Sequence, residues 1–247
     1  MSESLAAQAT EALKDLLISC ALEPGGCYTE AAISDRLGLG KTPVREALTL
    51  LVNRGWLKPT KGRGYEVLPP TFDAMRDLFA TRQLLEPSAA RMGAGRLDEH
   101  DAARLLTLCS PDPDSSTPEG RLVATKLHRD LHLGIVAAAG NEVLTDLVKL
   151  LLDQTSRLAF LVLSAGGWDG AFADTHLDLV NAMIDGDGPL AEALLAEHIL
   201  ESEQAAYAVL QGETSLGRLA RRVGGAAPAE APTDDLGIDR RSFVAGR

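Results

Sequence analysis

The sequence predicts a mainly α-helical protein, in which an N-terminal winged helix-turn-helix is followed by an all-α helical bundle. Three observations predict this fold class. Apolar residues recur at helical spacing through most of the 247-residue chain. Two short strand-like segments flank a glycine-rich turn within the first 70 residues. Beyond residue 70 no segment alternates with period two, which disfavours an enzyme built on a parallel sheet.

Three short helices are expected in the N-terminal unit. The first covers about 5–20, with Ser4 available as its N-cap. The second follows Thr29, whose hydroxyl suits an N-cap position. The third is expected to begin with Thr42 as N-cap and Pro43 at the first helical position. Their order and spacing are typical of a helix-turn-helix.

A hairpin is expected after the third helix. Residues 56–60 and 65–68 have strand character, and the glycine-rich residues 61–64 separate them. Pro69-Pro70 can continue neither a strand ladder nor a helix interior, so it marks a domain boundary. We therefore assign residues 1–70 to a winged helix-turn-helix domain.

Residues 71–211 are predicted to form a bundle of six helices. Breaks rich in glycine and proline separate the helical segments. The segments are expected at 72–94, 98–108, 120–139, 142–164, 170–185 and 189–210. Residues 212–247 mix alanine, glycine, proline and charge without periodicity, and we predict that they form a disordered tail.

The acidic balance of the whole chain conceals one basic segment. The net charge is −11, yet residues 1–70 carry equal numbers of basic and acidic side chains. Residues 30–65 hold seven basic side chains against three acidic ones. Only this segment suits contact with nucleic-acid phosphates.

The sequence predicts a cytoplasmic protein that does not enter a membrane. No stretch approaches the roughly 20 consecutive apolar residues of a membrane-spanning helix. The N-terminus lacks the basic and apolar regions of a signal peptide. The three cysteines show no CxxC spacing, so neither a disulfide framework nor a thiolate zinc site is expected.

The start of the third helix carries hydrogen-bond donors suited to the major groove of DNA. Lys41 and Thr42 lie at its beginning, and Arg45 lies one turn inside, where it can form a bidentate contact with a base. Arg63, between two glycines of the hairpin, can reach the minor groove or the backbone. Taken singly, each of these residues is more typical of an ordinary solvated surface, and only their combination favours DNA contact.

Residues 29–70, TEAAISDRLGLGKTPVREALTLLVNRGWLKPTKGRGYEVLPP, resemble the winged-helix domain of GntR-type bacterial transcription regulators. The resemblance implies a homodimer that binds a double-stranded DNA operator. It assigns the DNA-contacting positions to Lys41, Thr42, Arg45, Arg63 and Gly64. Gly40 replaces the usual Ser or Thr, and Lys41 replaces the usual Arg. We therefore expect one phosphate contact to be missing and the sequence preference to be altered.

All five histidines fall in the helical half of the chain, and the spacing of four of them is informative. His128 and His132 are four residues apart, so they lie side by side on one helix. His176 and His198 lie on two later helices, and facing helices of a bundle can converge on one interior point. Imidazole ligands suit Zn²⁺ or Ni²⁺. Spacing alone leaves open that these are surface or hydrogen-bonded core residues.

Most of residues 72–210 are similar to the FadR C-terminal (FCD) effector domain. The similarity rests on MRDLFATRQLLEPSAARMGA, HRDLHLGIVAAAGNEVL and THLDLVNAMIDGDGPLAEALLAEHI. Many members bind a divalent metal through an Asp-x-x-x-His pair and two further histidines. The resemblance implies a metal site formed by His128, His132, His176 and His198, with His128 in place of the usual Asp. This replacement favours Zn²⁺ or Ni²⁺ over Mn²⁺.

The same resemblance implies an effector pocket that binds a small organic acid. Arg82 stands at the family's Arg-x-x-x-Glu position, four residues before Glu86, where the arginine points toward the effector. Arg157 is a second, weaker pocket candidate. From spacing alone, Arg82 and Glu86 could equally be a plain surface ion pair.

The alternative function is a metal-dependent hydrolase that uses the four histidines to activate water. A site closed by four protein ligands leaves little room for a reacting water. Asp130 and Asp174 lie two residues from a histidine, which directs them elsewhere on a helix. We therefore predict a ligand-responsive regulator rather than an enzyme, and leave open whether the metal alone acts as the signal.

Overall fold

Three helices and a small antiparallel sheet form the N-terminal unit of the computed structural model, which describes residues 4–109, 114–166 and 170–212. Its elements are α1 (Leu5–Ile18), β1 (Cys27–Tyr28), α2 (Glu30–Leu37), α3 (Lys41–Asn53), β2 (Leu57–Thr60) and β3 (Gly64–Val67). The strand order is β1-β3-β2, with Cys27 opposite Glu66 and Leu57 opposite Val67. This is a winged helix-turn-helix, as predicted.

The sequence prediction missed strand β1. This strand has only two residues and follows Pro24-Gly25-Gly26, so it shows no alternation that a pattern could detect. Pairing with β3 defines it: Tyr28 lies opposite Tyr65. The predicted hairpin therefore supplies the edge strand β2 and the central strand β3 of a three-stranded sheet.

Two of the three predicted N-caps are confirmed, and one is wrong. Ser4 accepts a hydrogen bond from the Ala7 amide, and the Thr29 hydroxyl accepts one from the Ala32 amide. Helix α3 instead begins at Lys41, with Gly40 as N-cap and no side-chain cap. Thr42 and the proline after it therefore lie inside the first turn. Proline is tolerated there because amides of the first turn have no partner within the helix.

Six helices form the part of the second unit that the structure describes. They are α4 (Phe72–Gly93), α5 (Glu99–Leu108), α6 (Pro118–Ala137), α7 (Glu142–Ser164), α8 (Gly170–Ile184) and α9 (Gly188–Gln211). Each agrees with its predicted segment to within two residues at either end. The predicted tail, 212–247, lies outside the described residues apart from Gly212, which ends α9 in a left-handed conformation.

Separate apolar cores stabilise the two units. The N-terminal core lies between α1, α3 and the sheet, with Trp56 buried beneath the wing. The larger core lies within the bundle, where α4 packs against α9 and α6 packs against α7. Helix α7 also contacts α1, so it joins the two units. Within the described residues, no helix has the length and apolarity to cross a membrane.

Candidate metal centre and nucleic-acid interface

Side chains from three helices of the bundle bring four imidazoles together. His128 and His132 come from α6, His176 from α8 and His198 from α9. One ring nitrogen of each lies within 4.8 Å of the corresponding nitrogen of the other three. Nε2 of His198 lies 3.2 Å from Nε2 of His128 and 3.2 Å from Nε2 of His176. The structure thus assembles the four histidines that the sequence singled out.

Three rings of the cluster are buried and His128 is half-buried, and this environment keeps the rings neutral. Burial, with a smaller contribution from the neighbouring His132, lowers the pKa of His176 to about 3. Burial also lowers the pKa values of His128 and His198 well below 6.5, and nearby histidines and Arg82 add to the effect. Neutral imidazole is the form that coordinates a metal ion. The rings are therefore ready to bind a cation at neutral pH.

Glu86 orients one ring of the cluster from behind. Its Oε2 lies 2.6 Å from Nδ1 of His132, and both side chains are inaccessible to solvent. Burial raises the pKa of Glu86, but the charge of Arg82 and the hydrogen bonds from His132 and Arg82 outweigh it and lower that pKa to about 2. An ionised carboxylate can only accept, so Nδ1 of His132 carries the proton and Nε2 keeps its lone pair.

A buried atom without a partner marks the place where a ligand fits. Nε2 of His132 is buried and has no hydrogen-bond partner among the described residues. Buried polar atoms are normally satisfied, so an unpaired lone pair calls for a missing group. A divalent cation bound by the four imidazoles meets this requirement. The donor set contains no carboxylate, and it therefore fits an imidazole-preferring ion.

A small cavity, with about 20 Å³ of free space, lies beside the cluster. Its lining includes Phe79, Arg82, His128, Arg129 and Ser202. Arg82 is only 2% exposed, and its Nε donates to Oε1 of Glu86 at 2.5 Å. The Arg-x-x-x-Glu pair thus exists, but as a buried pair behind the histidines rather than on the surface.

Arg157 lies at the junction of the two units, away from the lining of this cavity. Its NH1 donates to the Leu68 carbonyl at 2.6 Å, and its guanidinium carbon lies 4.9 Å from the centre of the Trp56 ring. Burial lowers the pKa of Arg157 to about 10, against a smaller opposite effect of Cys20. The structure therefore does not bring this predicted pocket residue together with Arg82.

Asp153 of α7 connects the cavity with the N-terminal unit. Its Oδ1 accepts from Nε of Arg129 at 2.7 Å, and its Oδ2 accepts from Nζ of Lys14 in α1 at 3.1 Å. NH1 of Arg54, at the end of α3, lies 3.7 Å from the same Oδ2. The neighbouring Gln154 donates to the Arg54 carbonyl. Sequence patterns carry no signal for this network, because its members are far apart in the chain.

The predicted DNA-contacting side chains lie on the exposed surface of the N-terminal unit. Lys41, Thr42 and Arg45 are exposed in the first turns of α3, and Arg63 is exposed in the turn between β2 and β3. Gly64 has φ +96°, and a Cβ there would collide with the Tyr28 carbonyl oxygen. A glycine is therefore required at position 64 to close the sheet.

Two carboxylates near the cluster are already engaged, and the side chain of Asp174 lies outside the described residues. Glu86 pairs with Arg82 and His132, and Asp130 pairs with Arg129 at 2.7 Å. A hydrolase needs a base that can take a proton from water. Neither of these two groups is placed for that task.

Comparison with known families matches both units. The FCD domain model matches residues 77–201, and the model described as bacterial regulatory proteins, gntR family, matches residues 5–67. The first match alone covers half of the chain. It contains all four clustered histidines, Arg82 and Glu86.

Relatives and solved structures agree with these matches. The Nta operon transcriptional regulator of Aminobacter aminovorans is 24% identical, over 80% of this chain and 92% of its own. The HTH-type regulator RmpR of Mycobacterium gastri is 30% identical, over 69% of this chain and 68% of its own. In fold, the chain resembles E. coli McbR/YncC, with a TM-score of 0.71, 22% identity, and coverage of 83% of this chain and 98% of that one. The chain belongs to the gntR family of bacterial regulatory proteins, in its FCD-domain form, and is a DNA-binding transcription regulator.

Proposed function

We propose that this regulator binds a divalent metal at its four histidines and a small organic acid beside them, and that the two together set its affinity for a DNA operator. The observation that carries the proposal is the buried cluster, in which Glu86 directs the unpaired Nε2 of His132 toward three other imidazoles. His128, His132, His176 and His198 would hold the metal. When bound, it supplies a positive centre that attracts an anionic ligand.

Zn²⁺ is the proposed ion, with Ni²⁺ as the second candidate. All four donors are imidazole nitrogens. Nitrogen donors favour Zn²⁺ and Ni²⁺, whereas Mn²⁺ favours carboxylate and water. His128 replaces the one anionic ligand that is usual at this position, so the site carries one negative charge fewer.

The ligand class follows from the charge around the cavity. Arg82 and Arg129 contribute guanidinium groups to its lining, beside the proposed cation. Guanidinium binds carboxylate in a bidentate manner. The cavity has only about 20 Å³ of free space, little more than one water molecule needs, so a ligand must displace side chains of its lining to enter. A small carboxylate satisfies the charge, and its small size limits the displacement.

The Asp153 network supplies a physical route from the cavity to the DNA-reading helix. Arg129 lines the cavity and shares the Asp153 carboxylate with Lys14 of α1 and Arg54 at the end of α3. A carboxylate that attracts Arg129 competes with Asp153 for the same guanidinium. That competition changes the contact between α7 and the N-terminal unit. Ligand binding in the cavity is thereby coupled to DNA binding.

A homodimer is proposed because a palindromic operator requires two readers related by a two-fold axis. Helices α4 and α7 pack against each other and expose apolar side chains to solvent. Leu84 of α4 is 74% exposed, and α7 exposes Val143, Leu147 and Leu150. We propose this surface as the interface between two copies.

Two measurements test the proposed function. Metal analysis of protein purified without chelator is expected to give one ion per chain, and substitution of His198 by alanine should abolish it. A thermal-shift screen of small carboxylates against the metal-loaded protein should then find compounds that raise its melting temperature. Those compounds should change the Kd for DNA from the protein's own upstream region. Protein that contains no metal, or carboxylates that bind without changing this Kd, would contradict the proposal.

A further inference from the structure

A carboxylate holds the arginine that is placed to read DNA. Glu30 is the first residue of α2 and faces Arg45 of α3 across the helix-turn-helix. Nε of Arg45 donates to Oε2 of Glu30 at 3.0 Å, and one of its terminal nitrogens, NH2, donates to Oε1 at 2.8 Å. The contact is bidentate and joins residues that are 15 positions apart in the chain. It fixes the plane of the guanidinium.

This contact contributes little to the stability of the fold. The Arg45 side chain is 66% exposed and that of Glu30 is 22% exposed. Ion pairs this accessible to solvent have small effects on the free energy of unfolding, because water screens them. The helix packing of the N-terminal unit depends instead on its buried apolar residues. The geometry of the pair therefore matters more for what Arg45 can bind than for folding.

Glu30 occupies only one edge of the guanidinium. The bond donors of arginine are arranged as two forks, and Glu30 takes the fork formed by Nε and NH2. The fork formed by NH1 and the outer hydrogen of NH2 stays available. Two parallel donors at that spacing match O6 and N7 of guanine. A held guanidinium presents them in one direction, at a lower entropic cost than a free side chain.

The same carboxylate weakens general attraction to DNA. The pKa of Glu30 is lowered, chiefly by its hydrogen bond from Arg45 and with a further contribution from the charge of Lys41. It therefore stays ionised among the cationic side chains that would meet phosphates. A negative charge at that place reduces sequence-independent affinity, which depends on net positive charge. A lower affinity for DNA of any sequence is consistent with a stronger preference for one sequence.

We propose that Glu30 is a positioning residue that determines DNA sequence specificity by aiming Arg45 at a guanine edge. The inference rests on DNA binding by this unit and on the placement of α3 in the major groove. It assigns to Glu30 a loss in affinity for any DNA and a gain in discrimination at one base pair. Removal of the Glu30 charge should therefore lower discrimination and raise the affinity for unrelated DNA.

The experiment uses the full chain and begins from a random duplex pool, from which selection by the wild-type protein defines its preferred site. Kd values are then measured at constant salt on that site, on every single base-pair substitution of it, and on unrelated DNA. The variants are Glu30→Gln, Glu30→Asp, Arg45→Ala and the double variant Glu30→Gln/Arg45→Ala. Glu46→Gln, which removes an exposed charge from the neighbouring position of α3, is the matched control.

For Glu30→Gln we expect discrimination at one G·C pair to fall by about fivefold or more. Binding to unrelated DNA should rise about two- to threefold, because one negative charge is lost. Glu30→Asp keeps the charge but shortens the side chain, so it should lose discrimination without gaining affinity for unrelated DNA. In the Arg45→Ala background, Glu30→Gln should cause no further loss at that pair. Melting temperatures should stay close to that of the wild type.

Two results would overturn the inference while leaving DNA recognition intact. One is full discrimination in both Glu30 variants. The other is an equal loss in the Arg45→Ala background or in Glu46→Gln, which would indicate a general charge effect. A wild-type protein that selects no sequence at all would instead contradict specific DNA reading by this unit, and the inference with it.

Discussion

Oε2 of Glu86 lies 2.6 Å from Nδ1 of His132, and neither side chain is accessible to solvent. The carboxylate fixes the tautomer of His132 and is itself held by Arg82 at 2.5 Å. Hydrogen bonds behind metal-binding histidines commonly raise metal affinity, because they orient the ring and increase its basicity. Glu86 therefore connects the predicted effector arginine with the predicted metal site.

Replacing Glu86 with glutamine should weaken metal binding about 10- to 100-fold. The amide retains a similar shape but loses the charge that both Arg82 and His132 require. A buried cation left without its partner also destabilises the fold, by about 3–5 kcal/mol. Competition with a chromophoric chelator measures the first effect, and urea unfolding measures the second. Glu192, which forms an exposed ion pair with Arg91, provides the control. Its replacement should change neither the metal affinity nor the free energy of unfolding by a comparable amount. Unchanged zinc affinity in Glu86→Gln would contradict the assigned role.

Replacing His128 with aspartate should shift the metal preference toward Mn²⁺. The substitution adds an anionic oxygen donor to three imidazoles, and hard oxygen donors suit Mn²⁺ better than nitrogen does. The ratio of Zn²⁺ to Mn²⁺ affinity, measured by competition, should fall about tenfold or more. His100→Ala is the control, because His100 is exposed and lies outside the four-histidine cluster, and alanine adds no carboxylate beside its neighbours Asp98 and Asp101. An unchanged ratio would show that His128 is not a ligand.

Protein freed of metal should lose stability as the pH falls below about 6.5. The buried histidines stay neutral in the folded state, and the pKa of His176 is lowered to about 3. The unfolded chain therefore binds protons first, near pH 6.5, and the free energy of unfolding decreases toward lower pH. Each histidine that remains neutral contributes a slope of about 1.4 kcal/mol per pH unit.

This loss falls in a pH window separate from that of Glu86. The pKa of Glu86 is lowered from 4.5 to about 2, so its contribution is complete above about pH 4.5 and is lost toward pH 2. Urea unfolding of chelator-treated protein at pH 7.5, 6.5 and 5.5 measures the histidine effect alone. Equal stability at these three values would contradict neutral, buried imidazoles.

Replacing Asp153 with asparagine should loosen the junction between the two units. Lys14 and Arg129 would lose a buried acceptor, which costs about 3 kcal/mol of unfolding free energy. Asp15→Asn is the control. Its pair with Lys126 also bridges the two units, but both side chains are partly exposed, so the expected cost stays below about 1 kcal/mol. Equal costs in the two variants would contradict a specific role for Asp153.

Asp153→Asn should also weaken the effect of a bound carboxylate on DNA affinity. The compound identified by the thermal-shift screen should still raise the melting temperature of this variant. Its effect on the Kd for operator DNA should shrink relative to the wild type, because the shared acceptor is gone. Undiminished coupling would show that the signal takes another route.

The helices could be predicted closely because each carries a strong local signal. Thr71 and Asn141 cap α4 and α7, and apolar residues recur along both with a period near 3.6. The predicted start of α3 is wrong by two residues because Thr42 and Pro43 are equally acceptable within a first helical turn. Strand β1 escapes prediction because only its partner strand defines it.

The site was less predictable than the fold. Histidine spacing indicates a cluster, and family resemblance supplies its composition. No local pattern could show that Glu86 supports His132 or that Glu30 holds Arg45, because these contacts join different helices. For Arg157, by contrast, a local pattern suggested a contact that the structure does not contain. Its position in an apolar helix suggests the pocket, yet its guanidinium lies against Trp56 and the Leu68 carbonyl at the junction.

Calorimetric titration of Zn²⁺ into chelator-treated, full-length protein tests the central claim most directly. The account predicts saturable binding of one ion per chain, loss of that binding in His176→Ala and in His198→Ala, and unchanged binding in His100→Ala. Absence of saturable binding, or binding that survives both cluster substitutions, would contradict it.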